Sequence, residues 1–408
     1  MKIKRIFALF LFLISALLIS CEKGGIPSGS ISDSLEAKGE DKTLSAPTET
    51  GEEKPDSPIS QEVPKFFIDE MGIVHKNLGL KGKKADDFEL PLCGATGFAS
   101  YPLTLFAQHD QSVALRELSP GDAFTVLEER GENWLVRTED GVEGLVAYAT
   151  CYLNIPDVIP SVVLDNTNAE ASLFVSSGEA IPEITGQKLY DSFCYSERFG
   201  KEKNVVAANY NMVKKIYAIQ KAALAEGYTL VINETFRPLD VQRNVSAALA
   251  ALRLENEVVR EGLDQPPWSI AWFIASGVST HQMGCAMDVT LARVTGITWG
   301  LCGDYLYSEV TGWQECSMPT AFHELSSAAA SLKKPVSSSS PTAWKGVDPA
   351  ASMTEDALRL RFYCTEAGMS PLASEWWHFN DLETKEMLDG RWVEEVFHLS
   401  SCVSKIPD

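Results

Sequence analysis

The stretch that decides the fold reads Ser279-Thr280-His281-Gln282-Met283-Gly284-Cys285-Ala286-Met287-Asp288-Val289-Thr290-Leu291. It predicts a loop that carries His281, followed by a strand that begins near Cys285 and carries Asp288. Gly284 permits a sharp backbone turn between the two. The histidine from the loop and the aspartate from the strand are therefore expected to converge on one point.

A second stretch, Ser374-Glu375-Trp376-Trp377-His378-Phe379, places an acid three residues before a histidine. A catalytic zinc takes three protein ligands and keeps one position open for water. His281, Asp288 and His378 would supply two imidazoles and a carboxylate. Glu375 would then remain free as a general base. Each residue alone is more typical of a structural role, such as a hydrogen-bonded core histidine or a turn-capping aspartate.

Together the two stretches resemble the SxHxxGxAxD and ExxH motifs of the zinc D,D-peptidases. The resemblance is to the D-alanyl-D-alanine dipeptidases of vancomycin resistance in particular, whose second motif is EWWH, as here. It extends from about residue 189 to 378. It implies an α+β catalytic domain over residues 165–408 that holds one zinc per chain through His281, Asp288 and His378. Glu375 would activate water and later protonate the leaving amine.

The resemblance extends to Thr235-Phe236-Arg237-Pro238, which matches a Y/F-R-P motif of the family. The family's arginine stabilises the charge that develops on the attacked carbonyl oxygen, a task suited to a group that is always charged. The same residues are also typical of a surface arginine before a helix-starting proline. For substrate binding the resemblance implies Ser279 or Thr280. It also implies that Trp376 and Trp377 wall the cleft, or that Trp377 does so while the other is plain core.

The chain departs from the family in Met318-Pro319-Thr320-Ala321-Phe322-His323-Glu324, which resembles the loop MGTxFDE. The Asp of that loop receives the free amino group of the dipeptide, and His323 takes its position here. A carboxylate is the natural partner of an ammonium group. We therefore expect a substrate-binding His323 that tolerates an acylated amino terminus, unless Glu324 replaces the missing acid.

The first residues predict export. Lys2, Lys4 and Arg5 precede an apolar run that ends at Ile19 and is too short to be a permanent membrane span. The run ends in Leu18-Ile19-Ser20-Cys21, which resembles a bacterial lipobox. We predict a lipoprotein signal peptide over residues 1–20 and a lipidated Cys21 that anchors the protein to a membrane, in the periplasm or on the outer cell surface.

Residues 22 to about 64 are rich in Ser, Gly, Pro, Glu and Lys, and we assign residues 21–85 as a disordered tether. Short β-type runs follow at 103–106, 123–127 and 134–138, with a hairpin signal at Asp140-Gly141. Residues 86–160 resemble a bacterial SH3-like barrel, which would serve either as a spacer or as a wall-binding module.

In the larger region the apolar spacing predicts helices over 205–226 and 241–261, a strand over 228–235 and a loop insertion over 326–347. Eight cysteines follow Cys21, and export would permit disulfides. Two pairings suggest themselves, Cys93 with Cys151 and Cys302 with Cys316, and the sequence decides neither.

The 408 residues carry a formal net charge of −21, and no basic block interrupts them. This charge excludes a protein that binds nucleic acid through its phosphates. The leading hypothesis is an exported zinc metallopeptidase that cleaves the D-Ala-D-Ala bond of the dipeptide or of peptidoglycan stem peptides. Export favours a D,D-carboxypeptidase, whereas EWWH favours a dipeptidase. The alternative is a catalytically inactive peptidoglycan-binding lipoprotein; a peptidase of ordinary L-peptides has no motif in its favour.

Overall fold

A computed structural model describes residues 65–407, so the predicted signal peptide, Cys21 and residues 22–64 of the predicted tether lie outside it. The described part has a mixed α+β architecture, which confirms the predicted class at that level. Two eight-stranded sheets make up most of its β structure. In the range 65–407 no helix has both the length and the apolar character needed to cross a membrane.

One sheet, called here the site sheet, is organised around a single long strand, Ala286–Cys302. The first half of this strand pairs antiparallel with Tyr228–Glu234 on one side and with His378–Asn380 on the other. Its second half forms a long hairpin with Tyr305–Glu315. The remaining strands of the sheet are Phe66–Ile68, Val74–Lys76, Val163–Leu164 and Ser370–Pro371.

The other sheet, called here the N-terminal sheet, contains the three strands that the sequence predicted. Its members are Thr96–Ala99, Leu103–Phe106, Ala114–Leu118, Ala123–Arg130, Asn133–Thr138, Glu143–Ala147, Cys151–Asn154 and Ala207–Asn209. The last of these comes from beyond residue 165 and pairs antiparallel with Cys151–Asn154. A strand from the predicted catalytic region thus completes the sheet of the preceding region. Two short hairpins lie outside both sheets, Val175–Ser176 with Glu179–Ala180 and Phe193–Ser196 with Lys201–Asn204.

The α-helices of the described part are Ile155–Val158, Tyr210–Ala225, Leu239–Glu255, Glu257–Leu263, Glu355–Glu366 and Leu382–Met387. The helix predicted from residue 205 begins only at Tyr210, because the side chain of Asn209 caps it by accepting a hydrogen bond from Asn211 N. The helix predicted over 241–261 is two helices. Asn256 separates them, and its side chain caps the second.

The predicted loop character of residues 326–347 is confirmed: apart from an isolated bridge from Leu332 to Pro349, they contain the 3-10 turns Ser327–Ala329 and Ala343–Gly346. The predicted disordered tether, in contrast, extended too far toward the C-terminus, because it included residues 65–85. Within residues 65–85, two strands, Phe66–Ile68 and Val74–Lys76, pair with each other, and the second also pairs in parallel with the long strand at Gly296. Backbone pairing orders a segment whose composition alone indicated disorder.

Neither disulfide suggested by the sequence fits the strand register. Cys302 lies at the tip of the long hairpin, opposite Tyr305, whereas Cys316 follows its other end. At 3.3 Å per residue the two are about 30 Å apart, and a disulfide needs Cα atoms within about 7 Å. Cys151 lies opposite Ala99, at the far end of its partner strand from Cys93.

A shared apolar core joins the two sheets. Trp134 of the N-terminal sheet meets Tyr210 edge-on at 4.7 Å between ring centroids. The same cluster continues through Ile216 and Leu230 to Trp377. Gly284 fits this packing closely: its φ is +63°, and a Cβ atom there would lie 2.6 Å from the Tyr152 ring. The loop before the long strand therefore needs glycine at this position.

Candidate metal centre

Strand register brings three of the site residues side by side. Asp288 on the long strand lies opposite Glu234 on one neighbouring strand and opposite His378 on the other. His281 comes from the preceding loop, and all four side chains are buried. Shifting one strand by a single residue would turn its side chain to the opposite face, so the site depends on this register.

The side chains of His281, Asp288 and His378 form a compact set of donor atoms. His281 Nε2 lies 3.2 Å from His378 Nδ1, which is 2.9 Å from Asp288 Oδ1. His281 Nε2 also lies 3.4 Å from Asp288 Oδ2. The edges of a tetrahedron with metal–ligand bonds near 2.05 Å are about 3.3 Å long. The distance between the two histidine nitrogens matches such an edge, and each nitrogen lies within 3.4 Å of a different oxygen of Asp288. The three sequence-predicted ligands therefore form a set compact enough for one zinc ion.

Hydrogen bonds outside this triangle orient both imidazole rings. His281 Nδ1 donates to the carbonyl oxygen of Thr235 at 2.7 Å, which leaves Nε2 as the lone-pair nitrogen. His378 Nε2 donates to Asn380 Oδ1 at 3.0 Å, which leaves Nδ1 as the lone-pair nitrogen. Thr280 Oγ1 donates to the same Asn380 oxygen at 2.5 Å. Outer partners of this kind fix the tautomer and orientation of metal-binding histidines.

The electrostatics of the triangle agree with a cation site. Burial raises the pKa of Asp288, but hydrogen bonds and charges from His281, His323 and His378 outweigh burial and hold that pKa well below its usual range. Burial lowers the pKa of His281, which favours the neutral ring that a metal requires. The site therefore presents an ionised carboxylate beside a neutral His281 ring. Burial lowers the pKa of His378, but the hydrogen bond and charge of Asp288 outweigh burial and raise it.

Glu375 lies at the edge of this triangle, with Oε2 3.9 Å from His378 Nδ1. Burial raises the pKa of Glu375 to about 8. Its carboxyl group has no hydrogen-bond partner among the side chains of the described part, so it is free to face a bound molecule. A buried carboxyl of raised pKa beside a metal-binding set has the properties of a general base.

Arg237 is buried and holds the outer side of Asp288. Its Nη2 donates to Asp288 Oδ2 at 2.7 Å, its Nε to Glu234 Oε2 at 2.6 Å and its Nη1 to Gln242 Oε1 at 2.8 Å. Burial lowers the pKa of Arg237, but the two carboxylates outweigh burial and raise it. Glu234, three residues before Arg237, is a partner of this arginine that the sequence reasoning missed.

A second cluster of potential ligands, Glu234, Asp288 and His323, lies behind the first. The guanidinium of Arg237 already donates to both of its carboxylates, so a cation occupies the place that a second metal would need. In the first cluster Arg237 contacts only Oδ2 of Asp288, and the other oxygen, Oδ1, faces His378. The structure therefore favours a single-metal centre.

The prediction that His323 lies in the substrate cleft is wrong. Its side chain is fully buried, stacks on Phe174 at 4.1 Å between centroids and lies 3.2 Å from Asp288 Oδ2 through Nε2. It does not line the cleft. Glu324 does not replace the missing acid either, because its carboxylate accepts hydrogen bonds from the backbone N–H groups of Ser177 and Gly178. The backbone fold of this loop buries both residues.

The remaining predicted residues open onto a cleft of about 250 Å³ above the triangle. Ser279, Thr280 and Trp377 line it, whereas Trp376 packs against Phe322 and donates through its indole N–H to Thr320. Both tryptophans are buried in the core, and Trp377 is the one of the pair that also borders this cleft. Further residues in the lining that the sequence reasoning missed are Phe174, Gln242, Ser338, Asn380 and Lys385.

For two of these residues, the sequence differs in whether it contains a signal that would have identified them. Asn380 follows His378 by two residues on a strand, so the spacing alone placed both on one face. Lys385 lies on the helix Leu382–Met387, and no sequence signal connected it to the cleft.

No family model matches the chain, and no curated protein sequence matches it either.

Proposed function

We propose that this chain is an exported zinc metallopeptidase that hydrolyses the D-Ala-D-Ala bond at the end of peptidoglycan stem peptides. The observation that supports the proposal most strongly is the triangle of His281, Asp288 and His378 with Glu375 at its edge. The class of bond comes from the resemblance of the two motifs to the zinc D,D-peptidases.

The donor set fits zinc, because two imidazole nitrogens and one ionised carboxylate leave a fourth position for substrate or water. When bound, zinc would act as a Lewis acid and lower the pKa of water to about 7. Glu375 would accept the proton of the attacking water and pass it to the leaving amine. Its pKa near 8 suits both steps, since the group can hold and release a proton near neutral pH.

Arg237 would contribute mainly by fixing Asp288. Its Nε and Nη2 donate to Glu234 and Asp288, and one Nη1 N–H donates to Gln242. A guanidinium has five N–H groups, and the second N–H on Nη1 has no partner within residues 65–407. This N–H is the one available to an oxygen that gains negative charge in the cleft.

The charges in the cleft favour a substrate with an acylated amino terminus. The acidic residues in the lining are Asp288 and Glu375, and both have roles at the metal. Within the described residues no other carboxylate remains there for an ammonium group. A stem peptide presents an amide at this point, which needs no counter-charge. We therefore favour the D,D-carboxypeptidase over the free dipeptidase.

The same cleft contains a cation for the other end of the substrate. Lys385 is half-buried in the lining, and its ammonium group has no ion pair with the carboxylates of residues 65–407. Arg237, the other cation of the lining, is already paired with two carboxylates. Lys385 is therefore the group that would bind the terminal carboxylate of D-alanine.

The proposed cellular location is based on the sequence alone. A lipidated Cys21 and the residues up to 64 would tether the enzyme to a membrane from which it reaches the wall. The predicted SH3-like region, residues 86–160, would act as a spacer or bind the wall itself. The rival proposal, an inactive wall-binding lipoprotein, is less favoured because ligands, base and cleft are all present.

Mass spectrometry of products tests the proposal on the zinc-loaded full chain. Three substrates are compared: a pentapeptide stem, N-acetyl-D-Ala-D-Ala and free D-Ala-D-Ala. We expect release of D-alanine from the first two and a lower kcat/KM for the third. Binding of the stem without any product would support the inactive lipoprotein instead.

The role of Lys385 has its own test. Lys385→Met should lower kcat/KM for N-acetyl-D-Ala-D-Ala about 10- to 100-fold, the range of a hydrogen bond to a charged group. It should have little effect on a substrate whose terminal carboxylate is amidated. Lys333→Met is the matched control, because Lys333 is exposed and paired with Asp348. Equal losses on the acid and the amide would remove Lys385 from carboxylate binding.

A further inference from the structure

The residues near the end of the chain form an extended segment, called here the strap, over residues 396–407. It lies on the N-terminal sheet: Lys405 N donates to the Gly94 carbonyl at 2.7 Å. Val403 exchanges hydrogen bonds with this sheet through its backbone, accepting from Thr125 Oγ1 at 2.6 Å and donating to Thr96 Oγ1 at 3.2 Å. The strap is therefore held in a definite register.

The other side of the strap faces the hairpin strand Phe193–Ser196. Ser196 Oγ and Ser404 Oγ lie 3.0 Å apart and are buried, and Lys405 forms an ion pair with Glu197. These pairs advance together along both segments, so the two run parallel. Two residues earlier the same register places Cys194 against Cys402, on the same face because alternate residues of an extended chain share a face.

The two side chains are neighbours in this register, and Cys402 is the main cause that raises the pKa of Cys194. The Cys402 sulfur also lies 3.5 Å from Ser404 Oγ and 3.7 Å from Thr96 Oγ1. Both cysteines are half-buried, so an external reagent can reach them. Four of the other cysteines, Cys151, Cys285, Cys302 and Cys364, are buried as thiols at separate places in the fold.

We propose that Cys194 and Cys402 form a disulfide that fastens the strap to the body of the protein. This pairing replaces the two that the sequence suggested. It does not depend on the metal site or on the proposed substrate. It requires only an oxidising surrounding, which the predicted export would supply.

The reaction is thiol–disulfide exchange with an external disulfide as the oxidant. The Cys402 thiolate attacks one sulfur of that disulfide, and a mixed disulfide forms as the first thiol leaves. Cys194 then loses its proton and attacks the Cys402 sulfur, which releases the second thiol. Two protein thiols are oxidised and one external disulfide is reduced to two thiols. The neighbouring Cys194 side chain lowers the pKa of the Cys402 thiol, which favours Cys402 as the attacking group.

The strap also packs against a residue next to the candidate site. Phe397 packs on Phe236 at 5.0 Å between ring centroids, and Phe236 immediately precedes Arg237. Leu399 belongs to the same cluster, together with Tyr152. Fastening residue 402 therefore restrains the packing beneath the arginine that holds Asp288.

Peptide mapping of the full chain tests the pairing. The protein is incubated with oxidised glutathione, its remaining thiols are alkylated under denaturing conditions, and it is digested without reductant. We expect one linked peptide pair that contains both Cys194 and Cys402 and separates on reduction. Alkylation of both residues after this treatment, or a linkage of either one to a different cysteine, would overturn the proposal.

Thermal unfolding gives a second readout that does not use activity. The disulfide would close a loop of more than 200 residues, so reduction should lower Tm by about 5 °C. Cys194→Ser and Cys402→Ser should each abolish this response to reductant. Cys316→Ser is the control and should retain it, because Cys316 is also half-buried but lies at the base of the long hairpin. If Cys402→Ser fails to fold, mapping of the wild-type protein still decides the pairing.

Discussion

His378 and Asn380 lie two residues apart on one short strand, and a hydrogen bond of 3.0 Å joins Nε2 of the histidine to Oδ1 of the asparagine. The bond leaves Nδ1 of His378 to face Asp288 and His281. A residue outside the metal triangle thus determines which nitrogen of the ring can bind a metal.

This relationship predicts that Asn380→Ala weakens zinc binding without removing a ligand. We expect the Kd for zinc to rise about 10- to 100-fold, as for other outer partners of metal-binding histidines. Competition with a chromophoric chelator measures it. Asn211→Ala is the control, since Asn211 lies on a helix surface against Met387. An unchanged Kd would mean that Asn380 does not set the tautomer.

Removing a ligand should have a larger effect. Wild-type protein should contain about one zinc per chain, and His378→Ala or Asp288→Ala should lose it, because each contributes one corner of the triangle. Elemental analysis after gel filtration gives the stoichiometry. Full zinc retention in both variants would refute the ligand assignment.

Glu375→Gln should keep the metal and lose turnover. The amide preserves the shape of the side chain but cannot accept a proton, so kcat should fall about 10²- to 10⁴-fold. Glu383→Gln makes the same chemical change on an exposed side chain and should leave kcat unchanged. A near-wild-type kcat for Glu375→Gln would exclude this residue as the base.

Arg237→Lys should lower kcat more than it raises KM. An ammonium group cannot span Glu234, Gln242 and Asp288 in the fixed directions of a guanidinium. A loss of about 10²- to 10³-fold in kcat is expected if the free Nη1 N–H acts on the developing charge. Arg243→Lys, in an exposed ion pair with Glu394, serves as the control. A change confined to KM would limit Arg237 to substrate binding.

Stability should depend on pH through Glu89, which is far along the chain from the metal residues. Burial raises the pKa of Glu89 to about 7, against hydrogen bonds from Ser161 that lower it. Between pH 4.5 and 7 the folded state retains a proton that the unfolded state has released, so the free energy of unfolding falls as pH rises.

Glu89→Gln should remove this dependence. Its free energy of unfolding, relative to wild type, should increase by about 3 kcal/mol from pH 4.5 to pH 8. Urea unfolding at several pH values measures the difference, with exposed Glu179→Gln as the control. Parallel pH profiles for wild type and Glu89→Gln would contradict the prediction.

The sequence by itself was sufficient for the local features. A glycine that permits a left-handed turn, an alternating strand pattern and an acid three residues before a histidine are short-range signals. They correctly placed His281 in a loop and Asp288 on a strand, and they marked His378 and Glu375 as neighbours. Helix ends were less accurate, because side-chain caps such as Asn209 decide them.

Only the tertiary structure determined the contacts between segments that are distant along the chain. The backbone path of residues 318–324 buries His323 beneath Asp288 and turns Glu324 toward two backbone N–H groups, although their positions in the motif suggested the cleft. Register between the strap and a hairpin brings Cys194 to Cys402 across more than 200 residues. Such contacts depend on packing and pairing of the whole chain, which local residue patterns do not contain.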